Sequence, residues 1–173
     1  MKKILIGLLF TISLVSYGTS KVQKDFELKL KYLQSGSKKE IDKLYEESWL
    51  IDDNSEELKV LLSGYKKITY KINSTKVKRD TAVINLDMKA PNLFYYVPEI
   101  IEKSAESELS NSGEFLRDFF EEKLNSKDLV YLEKNINVYL KKEENDWVVD
   151  EEEPKNAEFG EMITLGLSKA FSE

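Results

Sequence analysis

Apolar residues recur at every second position in two separate parts of this chain, and no other feature narrows its fold so far. Ile68, Tyr70 and Ile72 alternate with Thr69, Lys71 and Asn73; after a polar turn, Ala82, Ile84, Leu86 and Met88 alternate with Val83, Asn85 and Asp87. Successive side chains of an extended strand point to opposite faces, so the pattern predicts two half-buried antiparallel strands. The period returns at Ile136, Val138 and Leu140, set against Asn137, Tyr139 and Lys141. A polar tetrad, Glu143-Glu144-Asn145-Asp146, then leads to Trp147-Val148-Val149, which reads as a second hairpin. Such a sheet needs helices to cover its apolar face.

The rest of the chain supplies them. Val22, Phe26, Leu30 and Leu33 have helical spacing, and Gln34-Ser35-Gly36 interrupts them. Ser37-Lys38-Lys39-Glu40 has the form of a capping box ahead of Ile41, Leu44 and Tyr45. A third short helix is predicted over Ser55 to Leu62, with Asn54 and Glu57 at capping spacing. Pro91 and Asn92 end the second strand; Pro98 suits the first turn of a helix, and Leu116, Phe119, Phe120 and Leu124 form a further stripe after Ser110-Asn111-Ser112-Gly113. Asn156 is placed to cap a last helix carrying Phe159, Met162, Ile163, Leu167, Ala170 and Phe171. The expected architecture is α+β: a curved antiparallel sheet of about four or more strands packed on N-terminal helices, with a helical insertion between the strand pairs and a C-terminal helix.

Composition excludes several chemistries. The chain of 173 residues has no Cys and no His, which rules out a disulfide, a thiol nucleophile, a Cys/His zinc site and a Ser-His-Asp triad. Its 7 glycines form no phosphate-cradling loop and no nucleotide fingerprint, so no cofactor is expected. Lys+Arg number 26 against 32 Asp+Glu, a net charge of −6 that argues against nucleic acid as a partner.

The N-terminus reads as an address. Lys2 and Lys3 precede an apolar run from Ile4 to Val15, then Ser16, Tyr17, Gly18, Thr19 and Ser20, the layout of a bacterial-style signal peptide. The run falls short of the roughly 20 residues that span a bilayer, so no stable membrane span is expected once the signal is removed. Cuts after Gly18 or after Ser20 both fit. Removal of residues 1–18 leaves one domain, 19–173, of 155 residues with 24 basic and 32 acidic side chains, a net charge of −8. Leu14-Val15-Ser16-Tyr17-Gly18 resembles the lipobox of bacterial lipoproteins with Tyr17 in the place of the lipidated Cys. An ordinary signal-peptide ending fits the same residues. Either way the mature chain is expected to be exported, to the periplasm or the medium.

Tyr32-Leu33-Gln34-Ser35-Gly36-Ser37, the capped Ile41/Leu44/Tyr45 segment and the later strands ending at Trp147-Val148-Val149 together resemble small exported bacterial domains of the nuclear transport factor two-like, or cystatin-like, cone superfamily. The resemblance covers about residues 22 to 150 and implies a curved sheet wrapped around helices with a conical cavity. It implies no single function, because that fold hosts enzymes, binding modules and assembly parts.

Three readings of function follow. The leading one is a non-enzymatic exported domain that binds a small molecule, a peptide or an envelope partner. Phe94-Tyr95-Tyr96 is then a lip over the cavity or a partner patch, although the same run also suits core packing. The second is a cofactor-free pocket enzyme in which an Asp or Glu base works with Tyr65, Tyr70, Tyr95, Tyr96, Tyr131 or Tyr139; Asp87, the strand carboxylate best suited, lies on the polar face of its alternation. The third is a structural or adhesive envelope component. Asp150-Glu151-Glu152-Glu153 lacks the spacing of a calcium loop and reads as a solvated run, as do Asp52-Asp53 and Glu56-Glu57. No metal site is expected, and the Asn73-Ser74-Thr75 sequon carries no weight in a bacterial-style chain.

Overall fold

The computed structural model describes residues 21–37, 39, 55–106 and 113–171. The signal segment with Tyr17, the Ile41/Leu44/Tyr45 helix with Lys38 and Glu40 of its capping box, Asp52-Asp53, Asn54 and Ser110-Asn111-Ser112 lie outside them.

Helix α1 spans 21–35, and Val22, Phe26, Leu30 and Leu33 are all buried on one face. It ends at Gly36, whose φ of +55° suits a residue without Cβ and whose N–H reaches the Leu33 carbonyl at 3.0 Å. Helix α2, Glu56–Tyr65, starts where the Ser55 hydroxyl accepts the Leu58 N–H at 3.1 Å. The cap is therefore Ser55, one residue beyond the position read from the sequence. Glu56 and Glu57 occupy its first turn, where the helix dipole favours negative charge.

The four strands β1 (Thr69–Lys78), β2 (Thr81–Pro91), β3 (Tyr131–Glu143) and β4 (Asp146–Val149) form one antiparallel sheet in chain order. Ala82, Ile84, Leu86 and Met88 share the inner face with Ile136, Val138 and Leu140, as the alternation predicts. One expectation fails here: the chain does not turn after Asn73. Strand β1 continues to Lys78 through a bulge between Ile72 and Ser74, and the turn is Arg79-Asp80. The bulge shifts the register by one residue, so Thr75 and Val77 face inward where unbroken alternation puts Ser74 and Lys76.

Between β2 and β3 lie a 3-10 turn, Leu93–Tyr96, and helices α3 (Val97–Glu106) and α4 (Gly113–Asn125). Pro98 stands in the first turn of α3, and Phe119, Phe120 and Leu124 of α4 are buried. The Arg117 guanidinium of α4 pairs with Glu56 of α2.

The C-terminal stripe does not form one helix. A 3-10 turn, Pro154–Asn156, leads into α5, Ala157–Ile163; Leu165 and Gly166 then adopt φ of +53° and +81°, and a second 3-10 segment follows at Leu167–Phe171. The break has a packing reason: it drives Leu165 into the core, fully buried against Gly64, while the Leu165 carbonyl accepts the Leu93 N–H at 2.9 Å.

Candidate functional site

Phe26, Leu30 and Leu33 of α1, Val149 of β4 and Phe159 and Ile163 of α5 surround a cavity of about 450 Å³. Volumes of this order hold small organic ligands, and an apolar wall with a few polar groups is the usual make-up of such sites.

Three groups shape it. Lys29, one turn from Phe26 and Leu33, lines the wall and donates from Nζ to the Trp147 carbonyl at 2.9 Å. Burial pulls its ammonium below the usual lysine value, against the opposing pull of the Asp146, Asp25 and Glu143 carboxylates. Gly160 sits in the middle of α5 on the cavity wall, and a Cβ built there meets nothing within 4 Å. A glycine inside a helix is costly, and here it leaves the wall open. Glu151 and Glu153 face the cavity from the loop after β4, so its polar groups carry both signs.

Asn156 is a further lining residue. Its side chain was read as a helix cap, but it makes no capping bond. It instead pairs with the main chain of Tyr139 as a strand residue would: Oδ1 accepts the Tyr139 N–H at 2.8 Å and Nδ2 donates to the Tyr139 carbonyl at 2.9 Å and to the Asp150 carbonyl at 2.8 Å. This satisfies the β3 main chain where the short β4 has ended and fixes the loop that carries Glu151 and Glu153. The Tyr139 N–H would otherwise lack a partner, while its carbonyl also accepts the Asp150 N–H at 3.0 Å.

The aromatic run lies elsewhere. Phe94, Tyr95 and Tyr96 are absent from the wall of this cavity. Tyr96 is buried; its hydroxyl accepts the Val130 N–H at 2.9 Å and its ring meets Tyr95 edge-on at 5.2 Å. Phe94 is half-buried, and Tyr95 is 61% exposed.

Of the residues weighed for pocket chemistry, Tyr70 and Asp87 both line a second cavity of about 450 Å³ on β1, β2 and β3, together with Lys71, Lys89 and Glu133. No tyrosine lines the cavity between α1, β4 and α5, and Asp87 is on the solvated face of the sheet. Its carboxylate accepts from Asn135 at 2.6 Å, and hydrogen bonds from Asn135 and Asn73 hold it below the usual carboxylate range. That makes it a weaker base, not a stronger one. Among the described residues no group of three or more His, Cys, Asp or Glu side chains is placed to hold a metal ion. Glu153 accepts the Lys155 N–H and so caps the turn at Pro154–Asn156.

Sequence reasoning did not single out Lys29 or Gly160. Two signals were present: a lysine adjoining the apolar stripe of α1, and a lone glycine inside a helical pattern.

No protein-family model matches the chain, and no curated protein matches it. Among solved structures, it is similar to a Bacillus subtilis protein described as a "putative lipoprotein (ycdA)", at 21% identity and a TM-score of 0.42. The alignment covers 63% of this chain and 38% of that one, so the chain spans well under half of that protein's length. A likeness this loose transfers no role. Among the described residues, no helix is long and apolar enough to cross a membrane.

Proposed function

We propose that this chain is an exported bacterial binding domain that holds a small, mainly apolar molecule between α1, β4 and α5 and performs no chemistry on it. The observation that carries the reading is the cavity of about 450 Å³, walled by Phe26, Leu30, Leu33 and Phe159 and kept open by Gly160. Export rests on the signal layout of residues 1–18, and the loss of a lipid anchor on Tyr17 in the lipobox-like segment. The cone-superfamily reading belongs to the same proposal, since it calls for a cavity between a curved sheet and its helices.

The test is titration with N-phenyl-1-naphthylamine, a neutral apolar fluorophore, against the wild type and Gly160→Leu. The leucine enters open space and favours the helix, so melting temperature is expected to hold or rise while affinity falls at least roughly tenfold, the loss of about 1.4 kcal/mol. Equal affinity in the two proteins, or no binding to the wild type, sinks the pocket reading and favours an envelope component that acts through its surface.

A further inference from the structure

The net charge of −6 conceals a segregated one. Between Lys66 and Arg79 the chain carries Lys66, Lys67, Lys71, Lys76, Lys78 and Arg79 and no carboxylate. Five of the six are exposed and Lys67 is partly so. Among the described residues none of the six forms an ion pair, whereas Lys89, Lys103, Arg117, Lys123, Lys134, Lys141 and Lys169 all do.

These cations lie along β1 or next to it. The sheet order places β1 at one end, and no described strand pairs with its outer edge. Lys71, Lys76 and Lys78 share the solvated face, their partners on β2 being Asp87, Val83 and Thr81. A ten-residue strand at about 3.3 Å per residue thus offers roughly 30 Å of main chain edge that no described strand pairs, flanked by positive charge. Lysines on an edge strand deter pairing with a second copy, since the same strand would bring lysine opposite lysine. They do not deter an acidic strand. For that partner the main chain supplies the bonds and the lysines supply the choice.

We propose that the free edge of β1 docks an acidic peptide in extended conformation, which adds to the sheet as a fifth strand. The probe is a fluorescein-labelled peptide of about ten residues with alternating Glu and Val, matched in length to β1. Its binding, read by anisotropy, is expected to weaken as salt rises and to fall at least about tenfold in Lys71→Glu/Lys76→Glu/Lys78→Glu. The reversed protein is expected to bind the matching Lys-Val peptide, which shows that it is folded. Hydrogen exchange decides the geometry: the Glu-Val peptide should protect β1 amides, and polyglutamate, which offers charge without β propensity, should protect them far less. The proposal is overturned if the reversal leaves binding unchanged, if protection falls outside β1, or if phosphatidylglycerol vesicles bind while the peptide does not. Because the cavity lies at the other end of the sheet, Gly160→Leu leaves this binding intact, so the two proposals fail separately.

Discussion

Asn156 shows what a single side chain contributes when it takes the place of a strand. It is one of the few polar residues in the core, at 7% exposure, and every polar atom of its amide is bonded. Asn156→Ala strands the N–H of Tyr139, while its carbonyl keeps the Asp150 N–H at 3.0 Å. Leaving buried polar groups unmet costs about 1–3 kcal/mol, so urea unfolding should show a loss in that range. A loss below about 0.5 kcal/mol would mean that water replaces the amide freely. The sequence made this residue conspicuous as a cap. Its real partner is 17 residues back along the chain, a pairing that only the end of β4 creates.

Two glycines in helices separate local preference from packing at the level of the element. Helix propensity alone gives Gly→Ala a gain of up to about 1 kcal/mol in both α2 and α5. The surroundings split them. At Gly160 a new methyl meets nothing within 4 Å, and Gly160→Ala is expected to raise stability by about 0.5–1 kcal/mol. At Gly64 a Cβ would lie 2.2 Å from Leu165 Cδ1, in a buried contact that Leu165 cannot leave without emptying the core. Gly64→Ala is therefore expected to cost about 1–3 kcal/mol, the range for overpacking. Thermal or chemical melts of the two variants should move in opposite directions, and a shared sign would refute the assignment. The strands tell a similar story. Alternation located β2 and β3 closely, because nothing interrupts their pairing, but it lost β1 at the bulge, where one extra residue moves Thr75 and Val77 to the inner face.

Acid behaviour belongs to the whole molecule. Glu161 is 9% exposed and joins α5 to the sheet: one carboxylate oxygen accepts from Lys134 at 2.8 Å and the other lies 2.9 Å from Lys169. Burial pushes its carboxyl up, but the two lysines outweigh it and hold it below the usual range. A carboxylate with a lowered folded value adds stability above its unfolded value, near 4.5, and that contribution disappears as pH falls through the folded value. Glu56, Glu99 and Asp87 are lowered as well, by hydrogen bonds from Lys59, Lys123 and Asn135 first of all. Melting temperature should thus drop steeply below about pH 4.5. Glu161→Gln should lower the stability by about 1–3 kcal/mol at pH 7 and flatten the acid slope. An unchanged slope would show that Glu161 does not carry the acid sensitivity.

By itself the sequence determined the α+β class, the helical insertion, both hairpins and the absence of thiol and imidazole chemistry, because these follow from periodicity and residue type, which are local. Tertiary structure decided the rest. The cavity is lined jointly by α1, β4 and α5, and no single element encodes it. Phe94, Tyr95 and Tyr96 drew attention as one aromatic run, yet packing buries the last and exposes the middle one. The free edge of β1 was invisible for the same reason. A run of lysines becomes a surface only when sheet order places its strand at an edge that no described strand covers.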